Sequence, residues 1–541
     1  MMQNYNAGSA ATEKSEQDLP RSKQVVREIG RVLFLLFCGF LTAVLLYLSF
    51  PSPGYSWLGW LAFFPFTLGI TRVRRFWTST FYGWFTGFLF HAFSLYWIYY
   101  TCLHGGELSV GLSAAAWLGL SGLLALQMAL FGGSCYYLKK TGPFFPILAA
   151  CGWVTFEWLH QVIAFYGIGF PWFMVGGTQW NFPQMLQLAS LTGVYGLSFC
   201  LVWVGTLLGW ALTNPSVKKI GGNLLLAALI TSGVYGFGYY RLKNFERMQK
   251  RQPLLSVQAA LMQPNIDQYK KWDENYEQEI MDTLAEMGQQ LEAGKTMLTI
   301  WPESVTPGPL SDEKYAAFFE NMAADSKSYQ LVGSFIPGKQ EQYVGAFLLA
   351  PGSGQWQEYH KIKLVPFGEF VPFASKLESL FPNLTILGEL GAFTPGARNQ
   401  KILNLTGVPL GSTICYESIF PQLWLSQTRR GAKLFVNITN DAWFFSTAAP
   451  YQHLAANVIR AVETGRPVLR AANTGFSAVI NPVGRLEQRS GLFTRTMLQT
   501  SVALLVGEYN TFYTQWGDWF AWLCAAVFFT LLISTMVFAY E

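Results

Sequence analysis

The chain has 541 residues, room for two or three domains, and a formal charge of +5. It is 51% hydrophobic and 16% aromatic but only 13% charged, about half the charged share of an ordinary soluble protein, which excludes a wholly water-soluble molecule. No basic stripe interleaved with aromatics marks a nucleic-acid surface, and six of the seven cysteines lie in or beside apolar segments at spacings that match no metal site.

Residues 1–30 read as a cytoplasmic N-terminal tail, because they are polar, carry Lys14, Arg21, Lys23 and Arg27, and lack a small-residue cleavage site. Residues 31–242 predict a seven-helix transmembrane domain, with apolar spans near 32–50, 56–71, 76–99, 109–137, 144–165, 186–213 and 220–240. An eighth span is expected at about 517–538, within a C-terminal segment 516–541. Each approaches the ~20 residues that cross a bilayer as a helix, the second being short. Arg72, Arg74 and Arg75 follow the second span, Lys139 and Lys140 the fourth, and Lys218 and Lys219 the sixth. The loops after the first, third and fifth spans carry no Lys or Arg, so the positive-inside rule puts the amino terminus in the cytoplasm. Seven crossings then leave residues 243–515 on the opposite side. The basic run from Arg241 to Arg251 opposes that orientation, but long domains translocate largely regardless of charge.

Gly167-Ile168-Gly169-Phe170-Pro171-Trp172 follows the fifth span. It reads either as an interfacial re-entrant turn or as part of a lipid entry. Just before it, Glu157 and His160 sit one helical turn apart in apolar sequence. An ionisable group in a span needs a cavity or a partner, so a structural hydrogen bond and a catalytic role both remain open there.

Residues 243–515 alternate short apolar strands with amphipathic stretches, the patterning of an α/β domain. Strands are expected at Leu254–Met262, Met297–Trp301, Gln330–Phe335, Val344–Ala350, Val408–Ile414, Lys433–Ile438, Val468–Ala472, Ser477–Asn481 and Thr500–Val506. Helices are expected at Glu274–Gly294 and Asp312–Ser328. The strand Val408–Ile414 ends on Cys415, the only cysteine between Arg241 and Gln515. A strand fixes the backbone while the following turn exposes the sulfur, which suits a nucleophile; a small buried core thiol is the plain alternative. Two further motifs accompany it: Trp301-Pro302-Glu303-Ser304, and Tyr359-His360-Lys361-Ile362-Lys363-Leu364-Val365-Pro366-Phe367-Gly368-Glu369. A free thiol is mostly protonated at neutral pH and needs a base, and an attacked carbonyl needs fixed positive charge. Glu303 can supply the first, and Lys361 or its rival Lys363 the second.

In the order Glu, Lys, Cys, these motifs resemble the nitrilase superfamily and, more narrowly, its membrane-bound branch, the apolipoprotein N-acyltransferases of bacterial envelopes. The likeness extends through Trp272-Asp273-Glu274, Ile414-Cys415-Tyr416-Glu417, Thr439-Asn440-Asp441-Ala442-Trp443-Phe444 and Arg460-Ala461-Val462-Glu463-Thr464-Gly465-Arg466-Pro467. It implies an eight-helix membrane domain joined to a nitrilase-like αββα sandwich. It also implies Cys415 as nucleophile, Glu303 as general base and Lys361 as oxyanion stabiliser with the Tyr416 backbone N–H; Lys361 rather than Lys363 aligns with the family lysine. Glu369 would orient the triad, Tyr416 and Glu417 would support the cysteine, and Trp272 would lie near substrate.

The implied reaction passes a fatty acyl chain from a phospholipid, through a Cys thioester, to the N-terminal amine of a diacylglyceryl-cysteine apolipoprotein. No cofactor or metal is implied. The location is the bacterial inner membrane, with the catalytic domain on the periplasmic side. A membrane-tethered amidase using the same triad with water is the alternative, and a transporter or lipid-binding protein a more distant one. Asn440 and Asp441 read as turn formers, and His360 and His453 show no pattern that gives them a role.

Overall fold

The computed structural model describes residues 20–213, 217–251, 254–271, 273–337, 341–373, 393–505 and 510–537. It divides into two compact units. A helical unit runs to Val162 and holds Phe170–Tyr240 and the chain from Asp518 onward, and a second unit holds Ile163–Gly169 and Arg241–Gly517.

In the helical unit five helices among the described residues are long and apolar enough to cross a membrane: Arg21–Ser49, Val110–Tyr166, Val194–Thr213, Val217–Arg251 and Trp519–Val537. The second is two pieces, Val110–Leu138 and Phe145–Tyr166, because Gly142 takes a φ of 64° and Pro143 follows it. Eight spans were expected. The second of them is only a 3-10 turn, Ser56–Trp60, and a short helix, Phe63–Ile70. The third, Phe76–Ser94, is so rich in Thr, Ser, Tyr and Trp that it falls outside the five. The expected sixth begins only at Val194, since Gly193 at φ 66° ends the short helix Ala189–Thr192 before it.

Close backbone approach, the usual device of helices that have no hydrophobic drive between them, joins Phe76–Ser94 to Val110–Leu138. A side chain at Gly83 would lie 2.2 Å from the Met128 carbonyl and one at Gly132 2.6 Å from that of Ser79, so neither position admits a Cβ. The Ser79 hydroxyl donates to the Gly132 carbonyl at 2.7 Å across the same seam. Phe63, Phe131 and Trp153 interlock edge to face beside it, at centroid separations from 4.8 to 6.1 Å. Glu157 and His160 both find hydrogen-bond partners. Glu157 Oε1 accepts from Trp153 Nε1 and the Val175 N–H, each at 2.7 Å, and His160 Nδ1 meets Gln127 Oε1 at 2.9 Å.

The second unit is built on two six-stranded sheets. The first comprises β1 (Leu254–Gln263), β2 (Leu298–Ile300), β3 (Tyr329–Pro337), β4 (Gln342–Leu349), β5 (Trp356–His360) and β12 (Thr496–Leu505), ordered β12-β1-β2-β3-β4-β5. The second comprises β6 (Leu403–Leu405), β7 (Val408–Ile414), β8 (Leu434–Thr439), β9 (Val468–Ala472), β10 (Ala478–Ile480) and β11 (Leu486–Arg489), ordered β11-β10-β9-β8-β7-β6. Helices Glu277–Gly288 and Glu313–Ser326 cover the first sheet, where Ile280, Leu284, Phe319 and Ala323 bury against Met262, Trp301, Val332 and Phe347. Helices Pro421–Arg429 and Ala449–Thr464 adjoin the second.

The inner faces of the two sheets meet closely. A Cβ at Gly333 of β3 would fall 2.6 Å from Glu303 Cα and 2.9 Å from Ile438 Cδ1 of β8. The layering is thus helix, sheet, sheet, helix, as the αββα expectation had it. Strands β5, β6 and β11 and both helices of the second sheet were not foreseen. β6 and β11 are three and four residues long, too short to show a period. Ala449–Thr464 is buried on nearly every face, although His453, Asn457, Arg460 and Thr464 recur along it at helical spacing, a stripe that was there to be read.

Candidate active site

Parallel strands of one sheet direct their C-terminal ends the same way, and side chains just beyond those ends gather in one place. β2 is parallel to β3, with Ile300 opposite Leu331. The Trp301 N–H continues this pairing by donating to the Leu331 carbonyl at 2.8 Å, while the Trp301 indole donates to Gln330 at 2.8 Å. Pro302 and Glu303 then pass over Gly333, whose lack of a side chain lets them come so near. In the other sheet β7, β8 and β9 are parallel, with Ile414 opposite Ile438 and Thr439 opposite Ala472. Cys415 therefore lies beside the exit of β8, from which Asn440 and Asp441 emerge.

Lys361 follows β5 directly and its N–H donates to the Val344 carbonyl at 2.8 Å. Its side chain is 1% exposed, and Nζ donates to Glu303 Oε1 at 2.9 Å and to Glu369 Oε1 at 2.5 Å. Glu303 Oε2 accepts the Asn440 backbone N–H at 3.1 Å, and Glu369 Oε2 accepts that of Val365 at 2.8 Å. Burial alone would strip the proton from Lys361, but the carboxylates of Glu303 and Glu369 overcome it and hold the ammonium well above its ordinary pKa. Burial, eased by Lys361, raises the Glu369 carboxyl. One cation thus serves two buried carboxylates, an arrangement that would leave uncompensated charge if Lys361 were removed.

Cys415 opens a 3-10 turn, Cys415–Ile419, and takes a left-handed backbone with φ 49°. For a residue other than glycine that conformation is strained and persists only where its surroundings over-determine it. The sulfur is not exposed by the turn, as the sequence suggested: Cys415 is 9% exposed and sits in the electrostatic reach of Glu303, Lys361 and Asp441, with the Thr439 hydroxyl bonded to it. Burial pushes the thiol far above its ordinary pKa, and Glu303 adds to the rise while Lys361 opposes it. A resting thiolate is therefore disfavoured, so ionisation of this sulfur needs a proton acceptor beside it.

Glu417 ties the cysteine turn to the lysine loop. Its Oε1 accepts the N–H groups of Ile362 (2.6 Å) and Lys363 (3.1 Å), and its Oε2 accepts the Ile414 N–H (2.8 Å) and the Tyr359 hydroxyl (3.0 Å). Burial raises its carboxyl to about 7, with the backbone N–H groups limiting the rise. Tyr416 turns away from the sulfur, and its hydroxyl donates to the Gly169 carbonyl at 2.9 Å. Lys363, the rival of Lys361 in the sequence, points elsewhere, its Nζ donating to the carbonyls of Phe165 (3.1 Å) and Gly167 (3.4 Å). Trp272 lies outside the described residues. Among the described residues no group of His, Cys, Asp and Glu side chains could hold a metal ion.

Three residues at the site escaped the sequence reading. Asp441 is more than a turn former: it accepts from Arg470 Nη2 at 2.7 Å and meets His453 Nδ1 at 2.8 Å. Arg470, with help from His453, outweighs burial and holds the Asp441 carboxyl down at about 2. His453, given no role earlier, reaches the Cys415 carbonyl with Nε2 at 3.0 Å. Their partners are distant in sequence, so no spacing rule could find them. Asn440 does cap the turn that follows it, its side chain accepting from the Ala442 N–H, but its backbone also binds Glu303. His360 keeps no link to the cluster, its ring stacking on Tyr343 at 4.6 Å.

Two family models match the chain: the apolipoprotein N-acyltransferase N-terminal domain over residues 42–207, and carbon-nitrogen hydrolase over residues 258–509. A protein of Geobacter metallireducens named apolipoprotein N-acyltransferase is 37% identical, covering 90% of this chain and 92% of its own. One of the same name from Methylococcus capsulatus is 31% identical, covering 90% and 93%. A solved CN-hydrolase superfamily protein from Xanthomonas campestris, 17% identical, covers 46% of this chain and 91% of its own, with a TM-score of 0.36. Likeness running through helices and sandwich alike, at more than a third identity, makes this chain a member of the apolipoprotein N-acyltransferase family.

Proposed function

We propose that the chain transfers a fatty acyl group from a membrane phospholipid to the N-terminal amine of the diacylglyceryl-cysteine of an apolipoprotein, through a thioester on Cys415. The observation that carries this reading is the single Lys361 ammonium shared by Glu303 and Glu369 beside the Cys415 turn. In the first half-reaction Glu303 takes the thiol proton as the sulfur attacks the ester carbonyl. A C–S bond forms, and the oxyanion is held by Lys361 and the Tyr416 N–H, each such donor contributing roughly 2.7–4 kcal/mol. The ester C–O bond then breaks, and the departing lysophospholipid alcohol carries off the proton that Glu303 held.

In the second half-reaction the neutral α-amine attacks the thioester and Glu303 takes its proton. The C–N bond forms, the C–S bond breaks, and the proton returns to sulfur. Two acyl transfers at one sulfur give ping-pong kinetics. Both substrates are lipids, which accounts for a catalytic domain carried by membrane spans. We take these as eight, with residues 243–515 on the periplasmic face of the inner membrane, on the strength of the loop charges. The match of residues 42–207 to a domain named for the acyltransferases favours this reading over a tethered amidase.

The test is the intact mass of the protein purified from membranes before any acceptor is added. A thioester-linked fatty acyl group on Cys415, absent from Cys415→Ala and released by a diacylated lipopeptide with a free amine, is the expected result. Acylation of the alanine variant, or release by water as fast as by the amine, would overturn it.

A further inference from the structure

We propose that His453 is a positioning residue for Cys415, a buried imidazole that pins the cysteine carbonyl and thereby holds the left-handed backbone from which the sulfur reaches Glu303 and Lys361. The inference deepens the acyl-transfer reading and rests on Cys415 being its nucleophile.

Side chains hold the backbone on either side of Cys415, one residue before it and at its own carbonyl. On one side the Ile414 N–H is taken by Glu417 Oε2 at 2.8 Å, and on the other the Cys415 carbonyl meets His453 Nε2 at 3.0 Å. A strained non-glycine residue needs such bracing, since nothing in its own geometry favours a φ of 49°. His453 is itself immobilised, having no exposed surface and standing on the helix Ala449–Thr464.

The protons follow from the partners. A carbonyl oxygen only accepts, so Nε2 must carry a hydrogen to bond Cys415. Nδ1 faces Asp441 Oδ1 at 2.8 Å, and Asp441, bound to Arg470 at 2.7 Å, is a carboxylate and also only accepts. Nε2 therefore donates to Cys415. Arg470 Nη2 lies 3.1 Å from Nδ1 and also binds the Asp441 carboxylate, and Arg470 is braced in turn by the Asn437 amide oxygen and the Phe476 carbonyl. The charged groups facing the ring are thus Asp441 and Arg470, and between them they fix its Nδ1 edge so that the Nε2 edge stays on the Cys415 carbonyl.

The readout is the rate at which iodoacetamide alkylates Cys415 in the full-length protein after hydroxylamine has removed any thioester, followed by peptide mass, alongside kcat and KM for acyl transfer. His453→Leu should slow alkylation at neutral pH about 30-fold and lower kcat at unchanged KM, since the ring touches no substrate. His453→Gln keeps a donor near the Nε2 position and should bring both the alkylation rate and kcat back to within about 10-fold of the parent. If His453→Leu does not fold, the glutamine variant alone decides. A glutamine variant slowed about 30-fold or more, a folded leucine variant that alkylates at the parent rate, or a rise in KM in place of the fall in kcat, overturns the proposal. Alkylation reads the thiol whether or not the protein transfers acyl chains, so failure here is distinguishable from loss of the Cys415 acyl-enzyme.

Discussion

The two units differ in how their buried polar side chains are mostly met, though the helical unit has longer links too, such as Ser79 to Gly132. In the helical unit the hydroxyls of Thr67, Thr86, Ser134, Thr155 and Thr206 each donate to the carbonyl four residues earlier on their own helix. In the sandwich unit the buried polar groups reach far along the chain. Lys361 joins Glu303 across 58 positions, Gln263 Oε1 receives Ser477 across 214, and Asn473 donates to Ile266 across 207. A helix can satisfy a stray hydroxyl locally at small cost. A site that needs charge concentrated at one point has to draw it from several strand ends, and each contributor then depends on the others being in place.

Substitutions should separate these two regimes. The largest effect belongs to the shared ammonium: Lys361→Ala should lower kcat/KM by about 10³-fold, as loss of a buried donor to an oxyanion does, while Lys363→Ala should cost less than about 10-fold. Steady-state transfer to a diacylated lipopeptide measures both, and equal losses would erase the distinction drawn between the lysines. Next comes Glu417→Gln, which turns an amide N–H₂ toward backbone N–H groups that only donate. It should lower stability by about 2 kcal/mol and uncouple the cysteine turn from the lysine loop. The check is the thermal unfolding midpoint in detergent together with the rate of acyl-enzyme formation.

Asp441→Asn should cost a similar amount, but with a pH signature. The Asp441 carboxyl is held at about 2 in the fold and titrates near 3.9 when unfolded, so it contributes about 2 kcal/mol above pH 4. Because the folded value is the lower one, that stabilisation fades as the pH falls through about 2. The gap between parent and variant should be the same at pH 7 and pH 5 and about half as large at pH 3, read as unfolding midpoints. The smallest effect is expected in the other unit. Thr86→Val should change stability by about 0.5 kcal/mol or less, because the Tyr82 carbonyl it releases keeps its helical partner. A loss above about 2 kcal/mol would mean that the helical unit also depends on side-chain networks.

The same contrast explains what could be read in advance. Apolar length is a local property, and it located Arg21–Ser49, Phe145–Tyr166 and Trp519–Val537 to within a turn or two at most ends, while Phe76–Ser94, where aromatic and hydroxylic residues dilute the pattern, falls outside the five. The longer strands of the sandwich and its first two helices were visible in their periodicity; Ala449–Thr464 has the same helical period but buries its polar stripe with the rest, His453 included. Glu303, Lys361, Glu369 and Cys415 stand in motifs that resemble a family, so they could be named before any geometry was known. His453 meets the Cys415 carbonyl and Arg470 meets Asp441, and no run of residues around them announces it.

One feature of the sandwich unit carries a consequence for how the chain tolerates change. The strip Ile163–Gly169, whose neighbours in the chain on both sides belong to the helical unit, is gripped by Lys363 and Tyr416 through the carbonyls of Phe165, Gly167 and Gly169. Each of those residues stands one or two positions from Cys415 or Lys361. A grip on backbone oxygens works as a gauge of the strip's length, while Phe165 adds a buried ring beside Lys363 and Phe420. Swaps at the exposed Ile163 and Ile168 should be silent where a single deletion is ruinous, because the missing link would drag the latch out of step with the sulfur it adjoins.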